Sequence, residues 1–261
     1  MTGCERIAAA FEGRAGRAAL MPYMMACFPD EKTSIAIGLA CAQNGADLVE
    51  VGIPYSDPLA DGPVIHEAAT QALRAGATVT ASLRVAKAVA EVVPTVVMCY
   101  ANLVLSMGWD VFAAQLDEAG VSGLICPDLP LEEAPEALAA LDARGLALVP
   151  LVAPTTPDSR LAEIGARARG FLYTVSVAGT TGERADSAAG IDAVVERARA
   201  STSVPVAVGF GISTPEQASS TADAGAEGVI IGSRLVREAA QADDPAGAVG
   251  TVVKGFADSL R

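Results

Sequence analysis

Asn44-Gly45-Ala46-Asp47-Leu48-Val49-Glu50-Val51-Gly52 is the stretch from which the fold reads. A helical segment ends at Gly45, which fits the left-handed position that closes a helix. A short aliphatic run follows, and it breaks into the loop Ile53-Pro54-Tyr55-Ser56-Asp57-Pro58-Leu59-Ala60-Asp61-Gly62-Pro63. The same punctuation recurs along the chain. Gly120 precedes Val121–Cys126, Gly145 precedes Leu146–Leu151, Gly170 precedes Phe171–Val175, and Gly225 precedes Ala226–Ile231. Two more runs enter through proline, Thr95–Cys99 after Pro94 and Val206–Val208 after Pro205. Leu20–Ala26 is the first run, which makes eight.

Runs that are apolar on both faces signal parallel strands covered by helices. Amphipathic segments lie between them, with Ile35, Leu39 and Ala42 on one face and Val111, Phe112, Leu116 and Ala119 on another. Thr214-Pro215-Glu216-Gln217 reads as a capping box, and Asp244-Pro245 opens a last helix with Val249, Val252, Val253 and Phe256 on one stripe. Eight strands alternating with helices over 261 residues predict a single (β/α)8 TIM barrel spanning 1–261. Residues before Leu20, with Ile7, Ala10 and Phe11 on one face, form an extra N-terminal helix over the barrel floor. A doubly wound sheet competes, but it would more often show a glycine-rich turn after the first strand. Here that position reads Cys27-Phe28-Pro29-Asp30.

The net charge of −13 argues against a nucleic-acid partner, which needs a basic patch. An anionic substrate would be held by backbone N–H groups and helix N-termini. Cys4, Cys27, Cys41, Cys99 and Cys126 show no paired spacing, and His66 is the single histidine, so no zinc or other metal site is expected. The thiols suggest a cytoplasmic protein. No apolar leader or membrane-length segment is present in the sequence. His66, at a helix start, reads as solvated.

Strand alternation sends Glu50 to the face opposite Val49 and Val51. A carboxylate inside an aliphatic run either points into water from an edge strand or is buried with a raised pKa suited to proton transfer. The long acidic loop that follows favours the second reading. Glycine-bearing turns follow runs six, seven and eight: Gly179-Thr180-Thr181-Gly182, Gly209-Phe210-Gly211 and Gly232-Ser233. At the C-terminal ends of barrel strands such turns read as a phosphate site. Tyr100 and Tyr173, at inward strand positions, either fill the core, orient a ligand or hydrogen-bond Glu50.

The stretch from Glu50 to Pro63 matches the signature of the tryptophan synthase alpha family, which the chain resembles over nearly its whole length. Tyr100-Ala101-Asn102-Leu103, Asp128-Leu129-Pro130, Gly179-x-Thr181-Gly182, Gly209-Phe210-Gly211-Ile212-Ser213 and Gly232-Ser233 follow in that family's order. The resemblance implies cleavage of indole-3-glycerol phosphate to indole and glyceraldehyde 3-phosphate, without a cofactor. It implies Glu50 as general acid and base and Asp61 at the indole N–H. Substrate contacts fall on Tyr23, Tyr100, Tyr173, Thr181, Gly182, Phe210, Gly211, Gly232 and Ser233, with the segment bearing Thr181 as a lid. A beta subunit is the implied partner in an alpha2beta2 complex, met through Pro54, Asp57 and Asn102. Two departures bear on the indole pocket. Met25-Ala26-Cys27-Phe28 stands where many members have Thr and Gly, and Tyr23 stands where Phe is common. A stand-alone lyase releasing free indole, another phosphate-binding barrel and a silent regulatory barrel are the competing readings. The last two leave the Glu50–Asp61 pair without a task.

Overall fold

A computed structural model describes residues 1–14, 16–175, 191–209 and 211–261. Its nine strand segments are β1 (Ala19–Met25), β2 (Val49–Gly52), β3 (Thr95–Met98), β4 (Gly123–Ile125), β5 (Ala147–Val149), β6 (Leu151–Val152), β7 (Leu172–Val175), β8 (Val206–Gly209) and β9 (Gly228–Ile231). They form one parallel sheet in the order β5-β4-β3-β2-β1-β9-β8-β7-β6. The two ends of that order are consecutive in sequence, separated by Pro150 alone. The sheet therefore closes through the chain itself, as a (β/α)8 barrel with the expected Leu146–Leu151 run split in two. Pro150 has no N–H to give to the ladder, which is why the run is split there. Its carbonyl still accepts from the Tyr173 N–H at 3.0 Å.

The glycines before the strands behave as their position predicts. Gly120 and Gly145, for instance, hold φ of 68° and 66°, which L side chains rarely adopt. Thr214 and Gln217 complete the predicted capping box, and Asp244 caps the last helix, Pro245–Ser259. The helix layer is richer than one helix per strand. Pro63–Arg74 and Val79–Ala90 both lie between β2 and β3, and Ala101–Leu105 and Trp109–Glu118 between β3 and β4. None of the described helices is long and apolar enough to cross a membrane.

The barrel interior is filled by every second strand residue. Leu48, Val96, Ile125, Ala147, Phe171 and Ala207 pack there against Ile7 and Phe11. The latter two come from helix Gly3–Glu12, which plugs the floor as the N-terminal pattern predicts. That helix docks closely. The Cys4 N–H donates to the Gly145 carbonyl at 3.0 Å, Arg6 donates to the Val121 carbonyl, and a Cβ on Gly3 would strike the Ser122 carbonyl. A filled and plugged floor leaves the C-terminal mouth as the open end.

Candidate active site

Glu50 lies two residues after Leu48 and so shares its inward face. Val49 and Val51 point outward into the helix layer. The Glu50 side chain is 1% exposed, and its Oε2 has no hydrogen-bond partner among the described residues. Removing a carboxylate from water without a compensating donor disfavours the charged form. Burial, then the nearby negative charge of Asp61, raise its pKa to about 8. At neutral pH Glu50 holds a proton.

Two tyrosines flank it. Tyr23 is the residue paired with Glu50 across β1 and β2. Its ring crosses to the neighbouring strand, where a Cβ on Gly52 would run into the Tyr23 hydroxyl. Tyr173 stands likewise over Gly209 of β8. In both cases the missing side chain of a glycine makes room for an aromatic ring. Burial pushes both phenols well above their ordinary pKa, so they remain donors.

Asp61 arrives from the loop after β2. The Tyr100 hydroxyl, at the end of β3, accepts from the Ala60 N–H at 3.0 Å and is hydrogen-bonded to the Asp61 carboxylate. Tyr55 stacks on Tyr100 with ring centroids 5.1 Å apart, which fastens the loop to the mouth. The Asp128 carboxylate accepts from the Ala101 N–H at 2.9 Å and holds the Tyr100 corner from the other side. Tyr100 thus serves Asp61, not Glu50. Asp61 is also drier than a loop position suggests. Burial raises its pKa to about 6, while the bond to Tyr100 and the charge of exposed His66 act in the opposite direction. At pH 7 Asp61 is mostly ionised and Glu50 protonated, so two carboxylates in one pocket hold opposite states.

The pocket at the barrel mouth is lined by Tyr23, Glu50, Asp61 and Tyr173 and by Gly211, Gly232 and Ser233, and Gly232 lies against Tyr23. Helix Ser233–Gln241 begins at the pocket wall, with Gly232 as its N-cap, and its first N–H groups lack intrahelical partners, an arrangement suited to an anion. Much of the remaining wall is apolar: Ile65, Met98, Leu151, Ile212 and Ile230. Sequence reasoning did not single these out. Met98 and Leu151 were accessible to it, since they continue the inward series of Val96 and Val149. Thr181, Gly182 and Phe210 lie outside the described residues.

The two departures from the family pattern separate cleanly. Met25, Cys27 and Phe28 are buried against the helix layer and do not line this pocket. Cys27 holds a left-handed φ of 59°, the conformation for which glycine is best suited, and its N–H donates to the Ser34 hydroxyl at 3.1 Å. The departure that reaches the pocket is Tyr23. Of the expected interface positions, Asp57 and Asn102 are exposed and Pro54 is buried.

Fold and pocket together define a parallel α/β barrel with an apolar slot, a proton-holding carboxyl, an ionised partner and a helix N-terminus beside them. Comparison with known proteins narrows this. Residues 10–257 match the family model described as tryptophan synthase alpha chain. The chain is 47% identical to the tryptophan synthase alpha chain of Prochlorococcus marinus (strain MIT 9313) over 87% of this chain and 83% of that one. It is 46% identical to that of Phenylobacterium zucineum (strain HLK1), covering 88% and 84%. A chain of Mycobacterium tuberculosis tryptophan synthase superposes with a TM-score of 0.91 at 38% identity over 98% of each. The Legionella pneumophila alpha subunit gives 0.89 at 33%, again over 98% of each. The chain belongs to the tryptophan synthase alpha chain family.

Proposed function

We infer that this chain is the lyase that cleaves indole-3-glycerol phosphate to indole and glyceraldehyde 3-phosphate, the alpha reaction of L-tryptophan biosynthesis. The observation that best supports the residue roles is the pairing, in one pocket, of protonated Glu50 with ionised Asp61. Glu50 delivers its proton to C3 of the indole ring. The ring then carries positive charge, which the Asp61 carboxylate at the N–H stabilises. Glu50, now ionised, takes the proton of the hydroxyl on the adjoining side-chain carbon. The bond between that carbon and C3 breaks, its electron pair restores the indole, and the carbonyl of glyceraldehyde 3-phosphate forms. Glu50 ends as it began, so one group serves as acid and then base.

The phosphate is taken by the backbone at Gly211, Gly232 and Ser233, and the family resemblance adds Thr181, Gly182 and Phe210 to these. The two described glycines differ as tests. Gly211 has a φ of 83°, so any side chain there strains the backbone as well as filling space. Gly232 does not, and a Cβ on it would make only ordinary contact with Tyr23 at 3.6 Å. Gly232→Val therefore keeps the fold and fills the anion end. It should weaken binding of glycerol phosphate by calorimetry about ten-fold or more, the worth of one lost charge-assisted contact. Unchanged affinity would place the phosphate elsewhere.

The chain works in the cytoplasm with a tryptophan synthase beta subunit, in an alpha2beta2 complex. Leu59 and Leu105 support the docking face. They are 79% and 63% exposed on the segments after β2 and β3, beside Asp57 and one helical turn from Asn102. A partner ordering this loop would set Asp61 against the indole N–H and raise the rate by positioning. Lyase rate against beta-subunit concentration tests this. Asp57→Ala should keep the isolated activity and lose part of the activation. Full activation of that variant would remove Asp57 from the coupling, and a wild-type rate indifferent to the beta subunit would favour the stand-alone lyase.

A further inference from the structure

Two buried polar atoms on residues that line one pocket have no hydrogen-bond partner among the described residues, the Tyr23 hydroxyl and Glu50 Oε2. They belong to residues paired in register on adjacent strands, so their side chains rise from the same face of the sheet. Tyr23 is 5% exposed, and bare Gly52 lets its hydroxyl end reach over the strand that carries Glu50. A buried hydroxyl without a partner destabilises a fold and calls for an explanation. Phenylalanine would fill the same space without that penalty.

We propose that Tyr23 is a positioning residue whose hydroxyl donates a hydrogen bond to the Glu50 carboxylate at the stage when Glu50 has given up its proton. While Glu50 is neutral it needs no such donor. Once ionised in a dry site it needs one, and a donor bonded to the charged form favours that form. The other groups facing this space do not duplicate the function. Asp61, from the loop after β2, is a carboxylate and repels the second charge. Tyr100, at the end of β3, is held by Ala60 and Asp61. His66, on helix Pro63–Arg74, acts on Asp61. Tyr173, on β7, lies over Gly209 of β8, whereas the Tyr23 ring lies over Gly52, on the strand that carries Glu50. The hydroxyl thus lowers the barrier to C3 protonation and orients the carboxylate for its second task.

The inference rests on Glu50 being the acid and base, so the experiment carries Glu50→Gln beside Tyr23→Phe, both in complex with the beta subunit. Tyr23→Phe removes one oxygen that has no hydrogen-bond partner among the described residues, and its melting temperature should be no lower than wild type. Its kcat should fall about ten-fold with KM within about two-fold, and the Glu50 ionisation should appear about one pH unit higher in the rate profile, which matches that factor. A kcat and pH profile superimposable on wild type would overturn the proposal, as would a change confined to KM. If Glu50→Gln is inactive while Tyr23→Phe is unchanged, only the role of Tyr23 falls. If Glu50→Gln is active, the reading of Glu50 falls and that of Tyr23 with it.

Discussion

Glu50→Gln should be catalytically dead and more stable than the wild-type chain. The amide fills the same space between Tyr23 and Tyr173 but cannot exchange a proton. General acid–base catalysis is worth about 10²–10⁴-fold, and here one group serves two transfers, so the loss should lie at the upper end or beyond. The stability gain follows from the same burial. A glutamate titrates near 4.5 when exposed, and Glu50 is raised to about 8 in the fold. Between those values the folded chain binds a proton that the unfolded chain does not. This contribution to stability is therefore intact below about pH 4.5 and is lost as pH rises toward 8. Each ten-fold gain in proton affinity is worth about 1.4 kcal/mol, which puts the full effect at a few kcal/mol. Thermal unfolding at pH 8 should show Glu50→Gln melting several degrees above wild type, with the difference shrinking toward pH 5. An amide in a dry pocket leaves part of its own hydrogen bonding unmet, which reduces the gain without reversing it. Activity within a few-fold of wild type would sink the assignment, and a melting difference that grows toward low pH would contradict the sign.

Asp61 carries the second large effect. Its carboxylate stabilises positive charge that exists on the ring only after C3 is protonated, so its loss should appear in kcat. Removing a group aimed at transition-state charge costs about 10²–10³-fold, and Asp61→Ala should fall in that range with and without the beta subunit. Asp61→Asn keeps an acceptor for the indole N–H but not the charge, and should lose less. The pH profile separates the two roles. Wild-type kcat should decline as pH falls through about 6, where Asp61 takes up a proton. That limb should be missing from Asp61→Asn. A limb unchanged in the variant would mean that another group is responsible for it.

The positions of the eight strands and the direction of Glu50 were legible because both rest on local pattern. A helix-ending glycine, an aliphatic run and a two-residue alternation are written within a few positions of one another, and Leu48 fixes which face Glu50 shares. The rest of the site depends on how distant strands lie against each other. Nothing near Tyr23 says that its ring crosses onto Gly52, because that follows from the register of β1 on β2. The partner of Tyr100 was open between a ligand and Glu50. The loop path brings Ala60 and Asp61 to the hydroxyl, and the same path makes Asp61 drier than its turn-rich surroundings suggest. The unusual Met25–Phe28 segment read as part of the pocket, since it follows a barrel strand. It turns into the helix layer instead, where Cys27 takes over a conformation suited to glycine. Pro150 was visible as a residue, but its effect, a strand cut where the barrel closes, belongs to the sheet order.

The most direct test of the account is to incubate the purified chain, with a tryptophan synthase beta subunit present, on indole-3-glycerol phosphate in the absence of serine, and to quantify both products over time. Wild type should yield indole and glyceraldehyde 3-phosphate in equal amounts, while Glu50→Gln should bind glycerol phosphate as wild type does and yield neither. No indole from the wild type, or indole formed by Glu50→Gln at a comparable rate, would contradict it.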